Sequence, residues 1–219
     1  MKQWLSYIIP QKIAEFRTPY NAYIRINDEG GAKKKLLVNG SPQSGSYIDV
    51  LWDAALGAFG IADLGCVKKI LVLGTAGGTV IHKVHGFFPQ ASIIGVEIDK
   101  MMIEIGKKYF GLDKIRELNL IHADAKIFVH QQVQKQKTYD LVIADMSFGR
   151  VIPQFLTTPS FVNELYVLSK PKGHVVINYL RELEYKNKSD RYMRVLEKRF
   201  FSVRDHVIQR NRFFFCSIV

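Results

Sequence analysis

Cysteine is scarce in this chain: of 219 residues only Cys66 and Cys216 are cysteines, far apart and in no C-x-x-C or C-x-x-H arrangement. That pattern gives no disulfide framework and no cysteine-based zinc site, and it makes a reducing, cytoplasmic compartment the natural expectation. Long apolar runs are missing too. Nothing approaches the roughly 18–20 consecutive apolar residues that a bilayer span needs, and the apolar stretch within residues 1–10 is too short for a secretory leader. A soluble, unexported protein with no membrane partner is expected. Six histidines form no metal pattern: His82 and His85 lie three apart with no nearby carboxylate or cysteine to complete a site, which leaves them surface or packing roles. No metal is expected. There is no G-x-S-x-G elbow and no Walker-type G-x-x-x-x-G-K-[ST], so hydrolase and P-loop chemistry lack their usual support.

Acidic residues are the minority charge, 20 against 31 Lys and Arg, for a formal net charge of +11. A basic balance suits an anionic partner such as nucleic acid, but the cations are scattered, with short clusters only at 33–35 and in 181–212. Charge of this kind argues weakly for nucleic-acid contact. With 47% hydrophobic residues the chain can bury one substantial core, which favours one main domain and a small appendage.

From Lys69 onward, short β-branched runs over 70–73, 92–96, 118–122, 141–144 and 174–179 alternate with helical stretches starting near Gly78, Lys100, Ala125 and Ser160. Such repeated βα units predict a parallel sheet covered on both faces. Lys170-Pro171-Lys172-Gly173 is expected to break the chain before the fifth strand. After a polar helix over 189–199, segments 201–208 and 212–219 read as a closing antiparallel hairpin, with Phe213-Phe214-Phe215 as sheet core. The expected fold is therefore α/β, a doubly wound, Rossmann-like, mostly parallel seven-stranded sheet over 61–219. Residues 1–60 are expected to form a small β-hairpin appendage: strands over 23–27 and 35–38, the turn Asp28-Glu29-Gly30-Gly31, and a helix over 49–59.

The candidate site follows the strand ends. Ile70-Leu71-Val72-Leu73 runs into Gly74-Thr75-Ala76-Gly77-Gly78, where glycines allow a tight turn and close ligand approach at a helix N-terminus with free N–H groups. Glu97, about 20 residues further on at the end of the next strand, suits the two hydroxyls of a bound ribose, or is a solvated strand-end carboxylate. Asp124 can accept the adenine amino group, with Ile98 and Ala125 flanking the ring, or simply cap its helix. Asp145, at the end of the fourth strand, can face a sulfonium and an incoming nucleophile and act as base, or cap the following loop. A nicotinamide dehydrogenase fits the loop but not the Asp124 and Asp145 stations.

These stations, in this order, resemble the spermidine synthase family, the polyamine aminopropyltransferases, whose core is similar to that of methyltransferases using S-adenosylmethionine. Leu37-Val38-Asn39-Gly40-Ser41-Pro42-Gln43-Ser44, followed by Tyr47, resembles that family's hairpin-end segment. The resemblance implies Gln43 and Tyr47 as cofactor and amine contacts, with Ser147 and Phe148 beside Asp145 at the acceptor. It spans roughly residues 36–179. It also implies decarboxylated S-adenosylmethionine, or S-adenosylmethionine, as co-substrate, a small-molecule acceptor such as an amine, and association into dimers or tetramers such as a homodimer, for which residues 4–16 supply an apolar arm or else cover the protein's own sheet. Two family carboxylates are replaced, by Ala76 in the glycine loop and by Phe148 after the fourth strand, and Ile48 stands where the family has His. A polycationic amine needs several carboxylates to replace its hydration, so three readings stay open: aminopropyl transfer, methyl transfer on the same scaffold, and a nucleoside-binding or interaction protein without catalysis. Met146 and Phe148 suit a more apolar acceptor, or pack as core.

Overall fold

The computed structural model describes residues 11–30 and 33–219. Alternation of buried and less buried positions, with Ile24, Ile26, Leu36 and Val38 inside, builds an N-terminal antiparallel sheet. Its strands are β1 (Gln11–Phe16), β2 (Ile24–Gly30), β3 (Lys33–Val38) and β4 (Ser41–Ser44), in that spatial order. The sequence suggested only the central β2–β3 hairpin. β1 is largely exposed and so lacks the alternation that betrays a strand, while β4 carries Pro42, which an edge strand tolerates. Of the suggested apolar arm over 4–16, residues 4–10 lie outside the described residues and the remainder is β1.

The main layer follows in chain order: α1 (Ser46–Ala58), β5 (Lys69–Leu73), α2 (Thr79–Phe87), β6 (Ser92–Glu97), α3 (Lys100–Phe110), β7 (Leu118–His122), α4 (Ala125–Gln134), β8 (Tyr139–Ala144), α5 (Pro159–Val167), β9 (Ser169–Leu180), α6 (Tyr185–Glu197), β10 (Ser202–Ile208) and β11 (Asn211–Ser217). The seven strands lie in the order β10-β11-β9-β8-β5-β6-β7. The five from β9 to β7 are parallel, and the closing pair is antiparallel. Ile70, Leu71, Val72 and Leu73 of β5 are all fully buried, as a central strand covered on both faces requires. Leu71 and Leu73 face the helices α4, α5 and α6, while Ile70 and Val72 face α1 and α2. Phe213 and Phe215 join the second layer and Phe214 the first, so this aromatic run is sheet core. α1 buries Leu51, Trp52, Ala55 and Leu56 in the same layer as Ile70, and the N-terminal sheet packs on Met102 and Ile105 of α3.

Residues 170–173 do not interrupt the fifth strand. β9 starts at Ser169 opposite Tyr139 and resumes register with His174 opposite Leu141. The intervening residues form a bulge, with Lys172 at φ 61° and Lys170 Nζ 2.7 Å from Asp140 Oδ1. The winding reverses at β5, which has β6 on one side and β8 on the other. A crevice at the carboxyl ends of β5 and β8 is where such sheets bind ligands. No helix among the described residues is long and apolar enough to cross a membrane.

Candidate active site

The loop between β5 and α2 is shaped by close approach. A Cβ at Gly74 would sit 2.2 Å from the Asp145 carbonyl oxygen, so only glycine lets the loop lie against the end of β8. Gly74 also has φ 83°, and Ala76 takes a left-handed φ of 43°. The loop N–H groups, however, are not free. Gly74 N donates to the Val96 carbonyl at 2.9 Å and Gly78 N to the Thr75 carbonyl at 2.7 Å. Thr75 N and Ala76 N donate to Glu97 Oε2 at 3.1 and 3.3 Å, and Gly77 N donates to Ser44 Oγ at 3.0 Å. All five loop amides, residues 74–78, therefore have internal partners, so the loop itself offers shape rather than an anion cradle.

Above the loop lies a cavity of about 290 Å³ whose lining includes Gly74, Ala76, Glu97, Ile98, Asp124 and Ala125. Gln43, Asp145, Ser147 and Phe148 complete the sequence-derived residues on its wall. Thr75, Gly77 and Gly78 do not line it; Gly77 and Gly78 pack on Ser44 and Leu112. Three carboxylates, Glu97, Asp124 and Asp145, line this cavity, and no Lys, Arg or His does so among the described residues. Glu97 Oε1 accepts from Asp99 N at 3.1 Å, so this carboxylate ties the glycine loop to the end of β6. Asp124 Oδ1 accepts from Ile127 N at 3.0 Å, which makes it the N-cap of α4 as well as a wall of the cavity.

Asp145 is held in a buried setting at the end of β8. Burial pushes its carboxyl up to about 6, helped by the negative charge of Glu97 and opposed by hydrogen bonds from Asn178 and Trp52. Asn178 Nδ2 donates to Asp145 Oδ1 at 2.8 Å, and Asn211 Nδ2 donates to Asn178 Oδ1 at 2.9 Å. This amide relay was missed in the sequence, although a polar residue inside the apolar run over 175–180 of β9 is a signal. Also missed was Asn21, which lines the cavity and is 5% exposed. With Thr18 it donates to the Asp99 carboxylate, at 2.7 and 2.5 Å, and so pins the N-terminal sheet to the start of α3.

A second cavity, of about 360 Å³, shares Gln43, Asp145 and Ser147 with the first and adds Tyr47 and Asn178. At the junction Ser147 Oγ donates to Gln43 Oε1 at 3.3 Å, and Gln43 Nε2 donates to the Gly149 carbonyl at 3.0 Å. Phe148 is held by a bridge to Val151, and Met146 is buried. His82 is exposed, with Nε2 2.8 Å from the Phe110 carbonyl oxygen. No metal-binding group of three ligands occurs among the described residues.

A doubly wound seven-stranded sheet ending in an antiparallel pair, with an acidic cavity at its switch point, defines the methyltransferase-like α/β class. Within that class, the model of the spermine/spermidine synthase domain matches residues 53–209, most of the chain, and the protein belongs to that family. A polyamine aminopropyltransferase of Vibrio vulnificus is 28% identical over 111 residues, 51% of this chain and 37% of that protein. An eEF1A lysine and N-terminal methyltransferase homolog of Drosophila melanogaster is 30% identical over 118 residues, 51% of this chain and 17% of that protein. The match therefore spans well under half the length of these relatives. The crystal structure of spermidine synthase from Thermotoga maritima superposes with a TM-score of 0.77 at 17% identity, covering 94% of this chain and 72% of that one.

Proposed function

We propose that this protein transfers an aminopropyl group from decarboxylated S-adenosylmethionine to an amine, releasing 5′-methylthioadenosine. The observation that carries this reading is the first cavity: three carboxylates, no cationic side chain among its described lining residues, and a glycine loop whose five amides are internally paired. A decarboxylated sulfonium nucleoside carries two positive charges and no carboxylate, which suits such a lining. The carboxylate of S-adenosylmethionine would meet like charge and no free loop donor, and an unpaired charge is expensive to desolvate. A dinucleotide pyrophosphate meets the same objection.

The sulfonium supplies an activated carbon, so the protein's task is alignment and proton removal. Glu97 would accept from the ribose hydroxyls, Asp124 from the adenine amino group, and Ile98 and Ala125 would flank the ring. Asp145, poised near neutrality by its burial, would take the proton from the acceptor ammonium. The freed lone pair then forms the new C–N bond as the C–S bond breaks, and its electrons pass to sulfur. Asp145 opens onto both cavities, which suits a base that receives an acceptor from one side and faces a sulfonium on the other.

One feature favours methyl transfer instead. Ala76 lines the cavity where the family resemblance calls for a carboxylate to hold the cofactor's ammonium. Incubation with each sulfonium and a mixture of amines, followed by mass spectrometry of the nucleoside product, separates the two. Methylthioadenosine supports aminopropyl transfer; S-adenosylhomocysteine overturns it.

A further inference from the structure

The second cavity has a different electrostatic character from the first. Lys35, Arg150 and Arg210 line it, against Glu182 and the junction residue Asp145. Lys35 is partly neutralised by Glu29, 3.7 Å away. Arg150 and Arg210 share one acidic partner: Glu182 lies 3.8 Å from Arg150 Nη1 and 3.5 Å from Arg210 Nε. One carboxylate between two guanidiniums leaves a positive charge uncompensated. Both guanidiniums remain largely open, with side chains 58% and 60% exposed, so their donors are available to a ligand.

This arrangement discriminates between acceptors. The near end of the cavity presents Asp145, Gln43, Ser147 and Asn178, suited to an amine. A linear diamine bound there would turn its second ammonium toward the arginines, where it competes with two guanidiniums for Glu182. An amine with a distal anion would instead accept charge-assisted hydrogen bonds from Arg150 and Arg210, whose planar forks match carboxylate and phosphate geometry. We infer that the acceptor is an amino acid-like molecule, an amine at one end and an anionic group at the other, with Arg150 and Arg210 selecting the anion. The inference rests on the transferase reading and narrows its substrate class.

Calorimetric titration tests it in two stages. Methylthioadenosine is titrated first; then, with that nucleoside saturating, 4-aminobutyrate, 2-aminoethyl phosphate and putrescine are compared. The expected result is that at least one of the two anionic amines binds on the order of 10-fold tighter than putrescine, the effect of about one charge-assisted hydrogen bond. The arm that wins tells carboxylate from phosphate. Arg150→Ala combined with Arg210→Ala should remove the preference, and the same variant's affinity for methylthioadenosine controls for folding. If methylthioadenosine binds while putrescine equals or exceeds both anionic amines, or neither anionic amine binds, this inference is overturned and the transferase reading survives. If methylthioadenosine itself does not bind, both fall.

Discussion

Of the two cavities that share Asp145, Gln43 and Ser147, the first is lined by three carboxylates and, among the described residues, no basic side chain, the second by three basic side chains against Glu182 and Asp145. Their origins differ as well. The first takes its three carboxylates from the carboxyl ends of β6, β7 and β8, beside the loop after β5, positions that a doubly wound sheet brings to its switch point, and adds Asn21, Val38 and Gln43 from the N-terminal sheet and its connections. The second draws Lys35 from the N-terminal sheet, Arg150 from the loop after β8, Glu182 from the loop after β9 and Arg210 from the β10–β11 turn. The cavity proposed to hold the nucleoside thus takes its carboxylates from positions set by the fold, whereas the cavity proposed to hold the acceptor depends on what the connecting segments carry.

Substitutions at the junction break this comparison most severely. Asp145→Asn should leave methylthioadenosine affinity within about 3-fold but lower turnover by roughly 100- to 10,000-fold, the usual worth of a positioned base. Turnover of the unsubstituted protein should rise with pH through about 6 as Asp145 ionises, and the variant should lack that limb. Stability should move the opposite way. The folded carboxyl titrates above its ordinary 3.8, at about 6, so the folded state binds more protons than the unfolded chain across that window and stability falls as pH rises through it. Asp145→Asn should therefore melt higher than the unsubstituted protein at pH 8 but not at pH 4.

Next in size, Glu97→Ala breaks only the first cavity. It removes the acceptor for Thr75 N and Ala76 N and the proposed ribose contacts, so methylthioadenosine affinity should fall on the order of 100-fold by calorimetry. Gly74→Ala disturbs the wall that carries Asp145, since the new methyl would meet the Asp145 carbonyl at 2.2 Å. A loss of at least ~2 kcal/mol, roughly 4 °C or more in Tm, is expected by thermal denaturation. Asp124→Ala sharpens the comparison most gently. It removes the α4 cap at a cost of about 1 kcal/mol and should weaken methylthioadenosine by less than about 10-fold. An unchanged affinity would leave Asp124 as a cap alone.

The first cavity was the more legible of the two in the sequence. Glycines after one strand and carboxylates at the ends of the next three sit at set places in repeated βα units, so this periodicity together with motif spacing brought Gly74, Glu97, Asp124 and Asp145 to one crevice. The pairing of the loop amides with Glu97 and Ser44 was not readable, because Ser44 comes from β4, an edge strand of the other sheet. The Asn178–Asn211 relay joins two strands adjacent in space but separated by α6 and β10. Arg150, Glu182 and Arg210 lie in three different loops, where no hydrophobic period constrains position. β1 escaped detection for a related reason, being too exposed to alternate.

The acidic first cavity, with its loop amides already paired, is proposed to select a sulfonium nucleoside without a carboxylate. Calorimetric dissociation constants for decarboxylated S-adenosylmethionine and S-adenosylmethionine, measured side by side at pH 7.5 on the unsubstituted protein, test it most directly. The predicted result is that the decarboxylated form binds at least about 10-fold tighter, the effect of one unpaired or repelled charge. Equal affinity, or a preference for S-adenosylmethionine, would rule this selectivity out and favour methyl transfer.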